Sequence, residues 1–164
     1  MFNSRISISR QPQILLKTIL GLILILSSLS SSIAADAISY GFHKRVFKDD
    51  MGDHKYVVYI PKGYTPEKKS PVVLYLHGGG ERGTDGVNQT YSGLATAIQK
   101  LYKTYPYITV FPQCEDEEGP ILSAWSSQKP DGKRAMKILG EVEKEFAVDT
   151  ENRFLTGWSM GGYG

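Results

Sequence analysis

The stretch that decides the fold is Arg153-Phe154-Leu155-Thr156-Gly157-Trp158-Ser159-Met160-Gly161-Gly162. A short β-prone run leads into Gly-x-Ser-x-Gly. With glycine and serine each near 7% of residues, such a pattern arises by chance about once in ~3,000 positions. A strand that turns sharply toward a helix lifts one side chain above the edge of a sheet. The flanking positions must be small because the backbone there passes close to its neighbours. Gly157 and Gly161 meet that demand. Ser159 then sits at the start of a helical turn, where free N–H groups and the helix dipole favour developing negative charge. The spacing predicts a nucleophile elbow, with the Met160 N–H as one donor to an oxyanion.

A second donor is expected from the loop after an early strand. Val72 to Leu76 is a continuous apolar run, as in a strand covered on both faces, and it feeds into His77-Gly78-Gly79-Gly80. Glycine lets a backbone N–H face a ligand without a Cβ in the way. Gly79 is the expected donor, with Gly80 next to it. His77 precedes the serine, the wrong order for the base of such a triad. Its expected role is to hold the glycine loop by hydrogen bonds to backbone. His43 and His54 read as surface residues.

Outward from these motifs the chain punctuates itself. Phe42 to Lys48 and His54 to Ile60 form a hairpin with a loop of about five residues, Asp49 to Asp53. Pro61 to Pro66 is a turn-rich connection, and Glu81 to Thr90 a polar loop. Leu94, Ile98, Leu101 and Tyr102 mark a helix that stops before Pro106. Tyr107 to Phe111 is a buried strand. Cys114 to Pro130 is a loop with four successive acidic residues, Glu115 to Glu118, expected on a solvated surface. Asp131 is placed to cap a helix whose buried face is Ala135, Ile138, Leu139, Val142 and Phe146. Asp149 to Asn152 is a turn, and Arg153 to Thr156 the strand that delivers Ser159. Strands alternating with helices predict an α/β domain, mostly a parallel sheet with helices on both faces and an antiparallel leading hairpin.

Residues 1–35 read as a secretory signal peptide. Arg5, Arg10 and Lys17 precede an apolar run, Ile19 to Leu26, and then the small residues Ala34, Ala35 and Ala37. The run is much shorter than the ~20 residues of a spanning helix, so a membrane role is expected only through an uncleaved leader. Residues 36–164 are the globular domain, with 16 basic against 17 acidic side chains. That balance gives no basic face for a nucleic acid. Cys114 is the single cysteine, expected buried or paired outside this sequence. No metal or cofactor is implied.

The run Ser70-Pro71-Val72-Val73-Leu74-Tyr75-Leu76-His77-Gly78-Gly79-Gly80-Glu81-Arg82-Gly83 resembles secreted α/β-hydrolases of the predicted peptidase and phospholipase/carboxylesterase-like family. These are similar to feruloyl and acetylxylan esterases and to polyhydroxybutyrate depolymerases. Tyr59 to Tyr64, Val110 to Cys114 with Trp125, and Asp149 to Gly164 extend the likeness over roughly residues 40–164. The resemblance implies an α/β-hydrolase fold and hydrolysis of a carboxylic ester, small or polysaccharide-linked, through an acyl-enzyme on Ser159. It carries over Ser159, Met160 and the Gly79/Gly80 loop. Glu81 and Arg82 are expected to brace that loop as an ion pair. Tyr91, Trp125 and Trp158 are candidates to line an acyl or aryl pocket, with core or rim as the alternative for each. A peptidase of the same fold and a non-catalytic fragment are the other readings. Because the acid and histidine of such a triad follow the serine, the expectation is an N-terminal part, inactive alone, of a secreted or periplasmic enzyme.

Overall fold

The structure is a computed structural model, and it describes residues 39–164. The leader reading falls on residues outside that range. Among the described residues, no helix is long and apolar enough to cross a membrane.

Five strands form one sheet in the order β1-β2-β4-β3-β5. They are β1 (Gly41–Asp49), β2 (Gly52–Ile60), β3 (Ser70–Leu76), β4 (Ile108–Pro112) and β5 (Val148–Gly157). β1 and β2 pair antiparallel, β2 meets β4 antiparallel, and β4-β3-β5 are parallel. Helix α1 (Gly93–Leu101) joins β3 to β4, and α2 (Pro130–Glu145) joins β4 to β5. The period of two in β2 explains the layering. Tyr56, Val58 and Ile60 pack with Ala135, Ile138 and Val142 of α2, while Val57 and Tyr59 pack with Ala95 and Ile98 of α1. The helices therefore cover opposite faces of a mixed sheet, as the α/β reading predicts.

Several local expectations are corrected. The hairpin connection is only Asp50-Met51, since Asp49 and Gly52 already pair across it. The Asp49 carboxylate accepts the Met51 N–H at 2.8 Å, a side-chain-closed turn, and Gly52 takes φ +129°. β4 runs Ile108–Pro112 and α1 ends at Leu101, well before Pro106. The Asp149–Asn152 turn lies inside β5 as a bulge. Ser70 pairs with Val148 and Val72 with Arg153, and the Asp149 carboxylate accepts from the Glu151 N–H and Asn152 Nδ2.

Asp131 does not cap α2. Pro130 begins that helix after Lys129, with no side-chain cap. The Asp131 carboxylate is buried and accepts the N–H groups of Glu115 and Asp116 at 3.2 and 3.1 Å and Arg134 Nη1 at 2.6 Å. His54 is likewise no surface residue. It is buried, with Nδ1 2.9 Å from a Glu115 oxygen and Nε2 3.0 Å from Asp49 Oδ1. Glu115 also meets Arg134 at 3.2 Å, so of the acidic run only Asp116 to Glu118 lie in solvent. His43 stays at the sheet's outer edge and meets the Ser39 carbonyl.

Candidate active site

β3 and β5 are parallel neighbours, with Leu76 opposite Gly157. The segments that follow them, His77 to Gly80 and Trp158 to Tyr163, therefore emerge side by side at the carboxyl edge of the sheet. That edge is where open α/β sheets hold ligands. The Trp158 N–H donates to the Leu76 carbonyl at 3.1 Å, and the Gly161 N–H closes the turn on the Trp158 carbonyl at 2.9 Å.

Ser159 has φ +49°, the one positive φ at a non-glycine among the described residues. A backbone held there is strained and persists only where its surroundings over-determine it. Those surroundings are visible in the glycines. A Cβ on Gly157 would overlap the Gly161 backbone, and one on Gly161 would overlap the Leu76 carbonyl. The β5 strand, the elbow and the end of β3 thus interlock at backbone contact. The Ser159 side chain is exposed, whereas Met160 is fully buried beneath it.

The glycine loop lies against the elbow. A Cβ on Gly78 would sit 3.1 Å from Trp158 Cδ1, and one on Gly79 would sit 4.0 Å from Met160 Sδ and 3.6 Å from Ile121 Cδ1. Among the described residues the N–H groups of Gly79, Gly80 and Met160 take no acceptor. These unclaimed donors belong to the two segments that meet at the elbow.

His77 fixes this loop from below. Its Nε2 accepts the Cys114 N–H at 2.9 Å, so Nδ1 carries the proton and donates to the Gly78 carbonyl at 2.7 Å. Trp125 packs edge-on against the ring and donates Nε1–H to the His77 carbonyl at 3.0 Å. Burial, the largest influence, lowers the His77 pKa below 6.5 and holds the ring neutral. With the folded pKa depressed, only the unfolded chain takes up a proton just below pH 6.5, so stability rises with pH across that window. His77 is therefore expected to contribute an acid-side loss of stability that begins as pH falls through 6.5. Urea midpoints between pH 8 and 5 for the wild type and His77→Gln check this. An equally steep decline in both would contradict it.

The expected Glu81–Arg82 ion pair does not form. The two side chains diverge because each meets a better partner. Glu81 accepts the Ser92 hydroxyl at 2.6 Å. Arg82 donates Nε–H to the Gly79 carbonyl at 3.1 Å and Nη1–H to the carbonyls of Asp116 and Gly119 at 3.1 and 3.0 Å. Of the aromatic candidates, Trp125 is core, while Tyr91 and Trp158 are more than half exposed. Ile121, also exposed, lies against the Gly79 position, and nothing in its spacing marks it. Gln113 is another residue the pattern reading passes over. It is buried, donates to the Glu81 carbonyl at 3.2 Å and accepts the Gly86 N–H at 2.7 Å. Its polar place directly after an apolar strand is the signal that could reveal it.

With this geometry in hand, comparison with known proteins is decisive on family. The family model for Esterase, described as "Putative esterase", matches residues 51–164. The chain belongs to this esterase family. It is 29% identical over 106 residues, 64% of the chain, to a bifunctional acetylxylan esterase/xylanase of Neocallimastix patriciarum, of which the match spans 14%. A thermostable esterase of known structure superposes with a TM-score of 0.61 at 33% identity, covering 75% of this chain and 36% of that one. A ferulic acid esterase from the anaerobic fungus Anaeromyces mucronatus matches at TM-score 0.54 and 23% identity, over 77% of this chain and 52% of the other. The last likeness bears on fold alone. The chain spans about a third to a half of the length of these solved relatives.

Proposed function

We propose that this esterase-family chain carries the nucleophile and oxyanion half of a serine carboxylic-ester hydrolase. Ser159 attacks the ester carbonyl, and the N–H groups of Met160 and Gly79, with Gly80 beside them, receive the oxyanion. The observation that carries the reading is the strained, exposed Ser159 set against three unclaimed N–H groups. One such donor is worth about 3–4 kcal/mol of barrier. The exposed apolar side chains of Ile121 and Trp158 beside the glycine loop suit an acyl group. The names of the relatives support a carbohydrate-linked acyl ester as substrate, and the leader supports an exported enzyme.

A serine hydroxyl needs a base, and the three histidines of the sequence do not supply one in this fold. Both nitrogens of His77 are engaged, and so are both of His54. His43 lies on β1, at the opposite edge of the sheet from β5. Activation of Ser159 therefore calls for residues outside this sequence.

Labelling with a fluorophosphonate probe tests both statements. In the full-length gene product a labelled band is expected that Ser159→Ala abolishes, and a band that survives the substitution would refute the nucleophile. The isolated 164-residue chain, shown folded by circular dichroism, is expected to label no faster than its Ser159→Ala variant. Rapid Ser159-dependent labelling there would refute the need for an external base.

A further inference from the structure

We propose that Arg82 is a positioning residue whose guanidinium aims the Gly80 N–H into the site, as His77 does for the Gly79 N–H. This rests on the oxyanion reading of the glycine loop. In a trans peptide the carbonyl and the next residue's N–H lie in one plane and point in opposite directions. Holding a carbonyl therefore aims the N–H that follows it.

The loop is built on that rule twice. The Gly78 carbonyl receives His77 Nδ1–H at 2.7 Å and the Glu81 N–H at 3.3 Å. Those bonds fix the Gly78–Gly79 peptide, so the Gly79 N–H projects the other way. The Gly79 carbonyl receives Arg82 Nε–H at 3.1 Å, which fixes the Gly79–Gly80 peptide and the Gly80 N–H. Three successive glycines have almost no side-chain constraint of their own and reorient at low cost. The orientation must come from partners outside them.

Arg82 is suited to that task by shape. Its planar fork spans three carbonyls, Gly79 in one loop and Asp116 and Gly119 in another. Among the described residues it makes no salt bridge, so its charge strengthens bonds to carbonyls alone. The second loop is anchored in turn by the buried Asp131, which takes the N–H groups of Glu115 and Asp116, and it carries Ile121 to within contact of Gly79. A lysine keeps the charge but not the fork.

The test is the direction of the N–H bonds, read as residual dipolar couplings of the ¹⁵N-labelled, weakly aligned 164-residue chain. Wild type, Arg82→Lys and Arg82→Gln are compared, with melting temperatures measured alongside. The expected result is that both variants lose the wild-type Gly80 coupling while Gly79 and the β3 and β5 amides keep theirs. A wild-type Gly80 coupling in either folded variant would overturn the proposal. So would an equal change at Gly79 and Gly80, which would make Arg82 a general brace. If Arg82→Gln fails to fold, Arg82→Lys alone decides. None of these readouts involves Ser159 chemistry, so the failure of the hydrolase reading would show separately, in the probe labelling.

Discussion

Gly161→Ala is expected to destabilise the domain by about 3 kcal/mol or more, while Gly162→Ala, one residue along, changes stability by no more than ~0.5 kcal/mol. The asymmetry follows from what each added methyl meets. A Cβ on Gly161 falls onto the Leu76 carbonyl, and the obstacle is backbone that cannot rotate away, whereas a Cβ on Gly162 meets nothing within 4 Å. To make room, the elbow must move off the end of β3, and the hydrogen bond from the Trp158 N–H to that same carbonyl, 3.1 Å long, must stretch or break, at a further cost of about 1 kcal/mol. A domain of this size has only ~5–15 kcal/mol of net stability, so the loss is a large share of the total. The displacement also releases the φ +49° that Ser159 adopts, so the elbow geometry and stability fall together. Urea denaturation followed by tryptophan fluorescence, with Gly162→Ala as the internal control, measures it. Equal midpoints for the two variants would mean that the elbow yields easily and that its glycines are not there for close approach.

The elbow was legible because its physics is local. A strand, a tight turn and a helical start fall within ten residues, and the need for small side chains is written as glycine at Gly157 and Gly161. The strands and helices were legible for the same reason, since their apolar periods repeat within one segment. What pattern reading misassigned is the polar interior. His54 and Glu115 look like surface residues when taken alone, and Asp131 like a helix cap. His54, Asp131 and Arg134 are buried and Glu115 half-buried because they meet one another across segments up to 61 residues apart in sequence. A charge is placed by its partner, and periodicity carries no information about partners on other elements. The Glu81–Arg82 pairing failed by the opposite error. Adjacency in sequence suggested an ion pair, but the fold offers each side chain stronger partners in loops that proximity along the chain does not reveal.

The buried cluster carries the other large effect. Asp131→Ala is expected to cost about 3–5 kcal/mol, the range for removing one partner from a buried ion pair. The Asp131 carboxylate accepts Arg134 Nη1 at 2.6 Å, two backbone N–H groups, and the Cys114 thiol at 3.3 Å. Alanine removes that acceptor from each of them in a largely buried site, Arg134 keeps only Glu115 at 3.2 Å, and its Nε is already unpartnered. Asp131→Asn keeps the shape and one acceptor oxygen, so it is expected to cost distinctly less. The cluster also has a chemical reporter. Burial first, and the Asp131 carboxylate second, push the Cys114 pKa up to about 12. A thiol so rarely ionised is a poor nucleophile, so Cys114 in the native protein is expected to resist a disulfide-exchange reagent at pH 8. In Asp131→Ala the 114–119 loop loses its anchor, and Cys114 is expected to react faster well below the global unfolding transition. Because the same loop holds the carbonyls that Arg82 grips, the rise in Cys114 reactivity reports release of the glycine loop's outer support. If the variant unfolds with the wild-type midpoint and its thiol stays protected, Asp131 is a passive passenger in the core. The chain of contacts from α2 to Gly79 then does not transmit what it physically connects.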